Sequence, residues 1–319
     1  MRDFISLADL SPRQWTQLLH LSREVKSRPS NFRRMIPGKS IVLIFEKPSL
    51  RTRLTFELGI QQLGGDAVYL DYQEANLGQR EALSDVAKNL ERWFDCLVAR
   101  TFSHQVLIQL SEYARCSVIN ALTDEEHPCQ ALADIFTLVE KWSNVEGRTL
   151  AYIGDGNNVC ASLVHAAALS GMCFTAVTPE SRQPYPDWQE DFRRLSTNAR
   201  ATCHWSDSPD GIRGADAVYT DTWVSMGQEG EAQERLAEFR SYQVTPDLMA
   251  RTGRDSFFMH CLPAHRNQEV TDAVIDAPYS LVFEQAENRL HVQKALLMWL
   301  LAPKEVDRYL HLEKWAAWK

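Results

Sequence analysis

The sequence predicts an α/β fold of two domains, each a parallel sheet flanked by helices, with two interdomain helices joining them. Short β-rich runs alternate with helical stretches along almost the whole chain, a pattern typical of parallel sheets. Several runs are continuously apolar rather than alternating, as expected of strands covered on both faces. A length of 319 residues exceeds what one hydrophobic core usually fills and fits two domains of about 150 residues each.

The predicted strands are short apolar runs bounded by polar or glycine-containing segments. Between them lie stretches with apolar residues three or four apart, such as Leu83, Val86, Leu90 and Trp93, and this spacing predicts helices. The strands are predicted at Ile41–Phe45, Ala67–Leu70, Cys96–Ala99, Ser117–Asn120, Thr149–Gly154, Phe174–Thr178, Ala217–Asp221, Ser256–Leu262 and Leu281–Phe283.

The domain boundary is predicted at a helix from about Pro128 to Lys141, followed by a turn at Ser143–Gly147. The acids and the proline at 124–128 suit a helix N-terminus. A later helix, about Glu287–Leu301, is expected to end the second sheet and to return to the first domain. The first domain is therefore predicted at residues 1–140, completed by 287–319, and the second at residues 148–285.

Composition narrows the class of partner. The chain is 45% hydrophobic and 24% charged, which is typical of a globular protein, and its net charge of −8 disfavours nucleic acid. We expect no membrane association, because no apolar run approaches the roughly 18 residues of a membrane span and the N-terminus lacks a signal-peptide pattern. A small anionic substrate stays possible, since a local arginine cluster outweighs a distant, screened net charge.

The cysteine pattern indicates a reducing compartment. The chain has seven cysteines and no Cys-x-x-Cys pair, so neither a disulfide framework nor a thiolate zinc site is predicted. We expect a cytoplasmic protein, because free thiols persist there. The cysteines are at positions 96, 116, 129, 160, 173, 203 and 261.

The segment Ser49-Leu50-Arg51-Thr52-Arg53 follows an apolar strand and opens a helix. A helix start presents unpaired N–H groups and partial positive charge, and the added hydroxyl and guanidinium donors suit a phosphate-like dianion. It lacks the glycine-rich loop of a nucleotide P-loop. The alternative is a basic helix start that is simply solvated at the surface.

Further polar segments follow other predicted strands, where ligands bind in parallel sheets. Arg100 suits a phosphoryl or carbonyl group, or an ordinary surface ion pair. Asp155–Asn158 lacks the third glycine of a dinucleotide fingerprint, so no nicotinamide cofactor is expected, and its amides suit a carboxylate. The loop from Asp221 to Gln228 could bind an ammonium group or be an ordinary connection.

Two histidine-containing segments complete the candidates. At a helix start, a neutral His127 would donate well to a carbonyl oxygen, although a capping or core role is the alternative, and it lacks metal-ligating partners at helical spacing. His260 and Cys261 are neighbours on a predicted strand and therefore point to opposite faces. The thiol is thus expected to bind rather than to act as an activated nucleophile.

Together these segments resemble the aspartate/ornithine carbamoyltransferase family, from about residue 3 to residue 302. The motifs that carry the resemblance occur in the family's order: Ser49-Leu50-Arg51-Thr52-Arg53, Arg100, His127-Pro128-Cys129-Gln130 and His260-Cys261-Leu262-Pro263. Asp221-Thr222-Trp223-Val224-Ser225-Met226-Gly227 is similar to the loop that marks the ornithine branch.

The resemblance implies carbamoyl transfer from carbamoyl phosphate to L-ornithine, with no metal and no redox cofactor. Arg51, Arg100, His127 and Cys261 would be the catalytic residues, while Arg53 would have a structural pairing role. The carbamoyl phosphate site would consist of Ser49, Leu50, Arg51, Thr52, Arg100, His127, Gln130, Cys261, Leu262 and Arg289. Ornithine would be bound by Asn158, Asp221, Ser225 and Met226.

The resemblance also implies an uncharged attacking amine and a homotrimer. Activity should therefore rise on the alkaline side of neutrality. In a trimer the segment Leu77-Gly78-Gln79-Arg80-Glu81 would lie near a neighbour's site.

One position departs from the family pattern, because Leu50 stands where threonine is usual. Relatives that use acylated ornithine also carry an apolar residue there. The alternatives are a carbamoyltransferase for N-acylornithine or putrescine, a catabolic enzyme that phosphorolyses citrulline, and a non-catalytic binding subunit.

Overall fold

A computed structural model describes residues 3–71, 81–224, 227 and 229–312. The chain divides into two compact units. Unit 1 comprises Met1–Leu132 and Glu287–Lys319, and unit 2 comprises Ala133–Ala286. Within the described residues, no helix combines the length and the apolar composition needed to cross a membrane.

Unit 1 contains a four-stranded parallel sheet in the order β2-β1-β3-β4. Its strands are β1 (Ser40–Phe45), β2 (Asp66–Leu70), β3 (Cys96–Arg100) and β4 (Ser117–Leu122). The helices that alternate with them are α1 (Pro12–Ser27), α2 (Leu50–Leu63), α3 (Leu83–Trp93) and α4 (His104–Tyr113). One face of the sheet packs on α3 and α4 through a buried cluster that includes Val42, Leu90, Leu97 and Leu107.

The chain passes between the units within two long helices, α5 (Pro128–Trp142) and, near the C-terminus, Val282–Leu301. Unit 2 contains a five-stranded parallel sheet in the order β7-β6-β5-β8-β9. Its strands are β5 (Thr149–Ile153), β6 (Cys173–Val177), β7 (Cys203–Ser206), β8 (Ala217–Thr220) and β9 (Phe257–His260). Its helices are α6 (Asn158–Leu169), α7 (Trp188–Leu195), α8 (Ala232–Glu238), α9 (Pro246–Ala250) and α10 (Asp272–Ile275).

The last two helices are α11 (Val282–Leu301) and α12 (Pro303–Leu312). The predicted fold class is confirmed, with two parallel sheets flanked by helices. Most predicted strands occur within two residues at each end.

One strand prediction was wrong, and one strand was not predicted. Leu281–Phe283 is not a strand: Leu281 N donates to Phe258 O at 2.9 Å, and α11 begins at the next residue. Leu281 and Val282 are buried at the start of this helix, whereas Phe283 is 67% exposed. The strand β7 was missed because an edge strand reading Cys-His-Trp-Ser has no apolar run.

Strand order places the candidate residues at the switch point of each sheet. In unit 1 the chain leaves β1 for β2 on one side and reaches β3 on the other, and in unit 2 the equivalent pair is β5 and β8. Crevices for ligands form beyond the carboxyl ends of such strand pairs. Ligands are therefore expected at the segments that follow β1, β3, β5 and β8.

Candidate active site

In unit 1, the first turn of α2 forms the floor of a site that we call the anion cup, defined by Ser49, Arg51, Thr52, Arg100, His127, Gln130 and Arg289. Ser49 is the N-cap, and its hydroxyl accepts the Thr52 N–H at 3.3 Å. Four residues connect β1 to α2, so the helix starts beyond the carboxyl end of a strand at the switch point of the sheet. Such a helix start favours a bound anion.

Arg289, from α11, forms hydrogen bonds with two other residues of the anion cup. The buried guanidinium donates from one terminal nitrogen to Gln130 Oε1 at 2.5 Å and from the other to Thr52 Oγ1 at 3.0 Å. Residues at 52, 130 and 289 therefore share one hydrogen-bonded chain. This brings together three of the residues that the sequence predicted for the phosphate and carbamoyl groups.

Arg100 and His127 lie in the same charged environment. Arg100 ends β3 opposite Phe45, next to the turn that leads into α2, and it is buried. Burial lowers the pKa of His127 well below its ordinary value, and the charges of Arg289 and Arg100 lower it further. His127 is consequently uncharged at neutral pH, the form predicted for a donor to a carbonyl oxygen.

Two neighbours in the motif, Arg53 and Leu50, are exposed. The Arg53 side chain is exposed, donates to Glu57 Oε1 at 2.9 Å, and lies over the Tyr69 ring at 3.7 Å. These contacts agree with a structural pairing role. Leu50 is 70% exposed, and its place in the carbamoyl phosphate site stays a prediction.

In unit 2, the candidate residues converge on the carboxylate of Asp221, which follows β8. Its Oδ2 accepts Asn157 Nδ2 at 2.7 Å, and its Oδ1 accepts the Cys261 thiol at 2.9 Å. Asp221 is buried. We call Asn157, Asp221 and Cys261 the Asp221 cluster.

The β5–α6 loop contributes Asn157, one of the two amides noted in the sequence, through a contact with Asp221 that the sequence did not predict. Asn157 is the N-cap of α6: its Oδ1 accepts the N–H groups of Val159 and Cys160, and its amide reaches Asp221. The predicted carboxylate ligand, Asn158, is the first residue of the helix and is partly exposed. Its role in binding stays a prediction.

The Cys261 thiol is protonated and acts as a donor. Burial of the sulfur raises its pKa well above the ordinary value, and the Asp221 carboxylate raises it further. His260 is not available as a base for it, because its Nε2 lies 3.2 Å from Glu269 Oε1 and its Nδ1 accepts the Leu262 N–H at 2.8 Å. This arrangement fits a binding role for the thiol.

The strand end at β9 is held in an uncommon backbone conformation. Leu262 has a φ of 56°, a region that L-residues seldom adopt unless neighbours hold them there. The His260 ring fixes the Leu262 N–H, and the His260 N–H donates to Gln285 Oε1 at 3.0 Å. Gln285 in turn donates to the buried Asp134 at 2.8 Å, so a side-chain relay from α5 and α11 positions this segment.

A buried ion pair anchors the start of the loop after Asp221. Arg235 in α8 pairs with Asp155 and donates to the Trp223 carbonyl oxygen at 2.6 Å. Sequence reasoning missed Arg235, because nothing local marks it. The predicted ligands Ser225 and Met226 lie outside the described residues, as do residues 77–80 of the predicted neighbour-site segment.

Asp221, His260 and Cys261 also offer three potential metal-ligand atoms within 4.8 Å of one another. Each of the three side chains already has hydrogen-bond partners: Asn157 and the Cys261 thiol for Asp221, and Glu269 and the Leu262 N–H for His260. The Cys261–Asp221 hydrogen bond and the adjacency of His260 and Cys261 in the chain account for the closeness of the three side chains.

Comparison with known families and proteins identifies the architecture. Residues 2–140 match the carbamoyl-P binding domain of aspartate/ornithine carbamoyltransferase, and residues 146–300 match its Asp/Orn binding domain. The ornithine carbamoyltransferase of Shewanella oneidensis is 46% identical over 302 residues, which is 95% of this chain and 100% of that protein. The Anoxybacillus flavithermus enzyme is 45% identical, covering 94% of this chain and 96% of that protein.

Solved structures of ornithine carbamoyltransferases are also similar to this chain. Ornithine carbamoyltransferase from Pyrococcus furiosus superimposes with a TM-score of 0.91 at 41% identity, covering 94% of this chain and 97% of that one. The Thermus thermophilus enzyme gives a TM-score of 0.85 at 39% identity, covering 94% and 99%. The chain belongs to the aspartate/ornithine carbamoyltransferase family.

Proposed function

We propose that this protein transfers the carbamoyl group of carbamoyl phosphate to the side-chain amine of L-ornithine, giving L-citrulline and phosphate. The observation that carries the proposal is the anion cup, in which Arg289 joins Thr52 to Gln130 beside an uncharged His127. Relatives at 45–46% identity that bear the name ornithine carbamoyltransferase support the same reaction.

The anion cup would receive carbamoyl phosphate. Ser49, Arg51, Thr52, Arg100 and Arg289 would hold the phosphate, because guanidiniums and helix N–H groups match its charge and geometry. His127, Arg100 and Thr52 would donate to the carbamoyl oxygen, and Gln130 with the Leu262 carbonyl would accept from the carbamoyl NH₂. Fixed donors around these oxygens stabilise the charge that develops as phosphate leaves.

The Asp221 cluster would receive ornithine. The Asp221 carboxylate would pair with the α-ammonium, assisted by Ser225, while Asn158 and the backbone at Met226 would bind the α-carboxylate. The Cys261 thiol would lie near the reacting amine. The uncharged amine attacks the carbamoyl carbon, and the bond between that carbon and the bridging oxygen breaks. Phosphate leaves with that oxygen and takes up the proton that the amine loses.

The proposal is tested by comparing three amines. Purified protein is assayed for carbamoylation of ornithine, N-acetylornithine and putrescine at the same carbamoyl phosphate concentration. We expect the highest kcat/KM with ornithine, because Asp221 is available to a free α-ammonium that N-acetylornithine and putrescine do not present. Ornithine as the poorest substrate, or no product with any of the three, would overturn the assignment.

We also propose that the protein works as a homotrimer. Leu50, Leu54 and Leu58 lie four residues apart on α2 and are 70%, 52% and 46% exposed, which makes one apolar stripe on the helix that begins at the anion cup. A stripe of this kind is typical of a surface covered by another chain. A second copy is the occupant that we infer, since the family resemblance implies a trimer.

Replacing Leu54 by Glu is expected to dissociate the assembly, because a charge at the centre of the stripe would be desolvated at the interface. Mass measured by light scattering should fall from three chains to one, with the circular dichroism spectrum unchanged. Phe283→Glu is the control, since it adds the same charge at a 67% exposed apolar residue elsewhere. An unchanged mass for Leu54→Glu would contradict the assignment of the stripe.

The physiological setting that we infer is arginine biosynthesis in the cytoplasm. Seven cysteines are present as free thiols, which suits a reducing compartment. A similar structure at 32% identity is described as the anabolic ornithine carbamoyltransferase of Campylobacter jejuni.

A further inference from the structure

Unit 1 has a basic cavity of about 450 Å³ at the C-terminal end of α2. Its cationic lining consists of Arg33, Arg34 and Lys294, and its other polar side chains are Gln61 and Gln62. No carboxylate belongs to the lining within the part of the chain that the structure describes. Three positive charges therefore face one concave surface.

Local structure does not neutralise these charges. Among the described residues, neither Arg33 nor Arg34 has an ion pair, whereas many other arginines in the chain are paired with carboxylates. The C-terminus of α2 carries a partial negative charge of about half a unit, which is too small to balance three cations. An anion bound from solution would balance the positive charge of the cavity.

Lys294 is the buried member of the group. It projects from α11, is only 3% exposed, and its Nζ donates to the amide oxygen of Gln62 at 2.9 Å. Burial lowers its pKa, and the neighbouring charge of Arg33 lowers it further. A bound anion would reverse that effect, so ligand binding and the charge on Lys294 favour each other.

The lining also restricts the class of anion. Arginine guanidiniums match phosphoryl oxygens in a bidentate manner, and three cations suit more than one phosphoryl group. A volume of about 450 Å³ is large for a single phosphate. Pro29 and Gly64 complete the lining, and none of the described residues that form it carries an aromatic ring to stack on a base.

We propose that the cavity formed by Arg33, Arg34 and Lys294 binds a multiply phosphorylated anion without a nucleobase. This site is separate from the anion cup, because the two occupy opposite ends of α2, a helix of 14 residues. At 1.5 Å per residue the ends are about 20 Å apart. Nevertheless, α2 and α11 carry residues of both sites.

Isothermal titration with inorganic tripolyphosphate tests the proposal, using the full chain with Arg51→Gln to weaken binding at the anion cup. We expect this protein to bind tripolyphosphate, and the added Arg33→Ala and Arg34→Ala changes to weaken binding at least about tenfold, from the loss of two charge-assisted contacts. Arg33→Ala alone and Arg240→Ala are then compared as a matched pair, since each removes one positive charge and Arg240 is exposed and outside the cavity.

The anion affinities of these variants either support or contradict the proposed site. Affinity that is insensitive to Arg33 and Arg34, or no binding once Arg51 is replaced, would overturn the proposal. So would a change of mass in the Arg33→Ala, Arg34→Ala protein without a change in anion affinity, because the cavity would then be a contact between chains. The two substitutions Arg33→Ala and Arg34→Ala are also made together in the parent chain. Its circular dichroism spectrum and its kcat/KM for carbamoyl phosphate are expected to be unchanged, which would show that the fold is intact.

Discussion

Replacing Arg51 by Gln is expected to lower kcat/KM for carbamoyl phosphate at least about 100-fold, the scale seen when one preorganised donor to a transition-state oxygen is removed. Arg51 lies in the first turn of α2 beside the Ser49–Thr52 cap, where a guanidinium adds its charge to the helix N-terminus. Glutamine retains length and helix propensity, so the change removes charge without breaking the helix. Steady-state citrulline formation at saturating ornithine measures it.

Arg53→Gln is the matched control, two residues away in the same helical turn. Arg53 pairs with Glu57 and stacks on Tyr69 at the surface, so its loss should leave kcat/KM close to the parent value. Equal effects of the two substitutions would contradict the anion cup, because they would mean that charge on α2 acts without regard to position. An unchanged rate for Arg51→Gln alone would contradict it too.

The fold was predictable because parallel strands that are covered on both faces have continuous apolar runs in their sequence. Ser40–Phe45 and Cys96–Arg100 are fully or almost fully buried, so their side chains had to be apolar at nearly every position. The pattern fails where this constraint is relaxed. The edge strand Cys203–Ser206 tolerates polar residues. The apolar run Leu281–Phe283 lies at a helix start, where Leu281 and Val282 are buried and Phe283 is exposed.

The site was predictable where its residues are contiguous or follow a strand. The cap at Ser49 and Thr52 could be inferred from local sequence alone, because a helix start uses neighbouring residues. Arg289 could not, since its contact with Thr52 spans 237 positions and only family resemblance pointed to it. Arg235 and Gln285 were missed for the same reason, and so was the contact of Asn157 with Asp221: each joins residues far apart in sequence.

Replacing Asp221 by Asn is expected to lower kcat/KM for ornithine about 100-fold or more while the KM for carbamoyl phosphate stays near the parent value. The carboxylate is the acceptor for both Asn157 and the Cys261 thiol, and in the proposed complex it also pairs with the α-ammonium. A hydrogen bond to a charged partner is worth about 1.5–3 kcal/mol, and the neutral amide would also leave one buried donor unpaired. Varying each substrate in turn separates the two constants.

Cys261→Ser is the companion change, because it distinguishes a donor from a nucleophile. A serine hydroxyl can still donate to Asp221, and the thiol is held protonated by burial and by that carboxylate. We therefore expect a loss below about tenfold, the cost of weakening one hydrogen bond. If the serine protein were inactive while Asp221→Asn retained activity, the order of importance would be reversed. Cys261 would then act covalently rather than as a partner of Asp221.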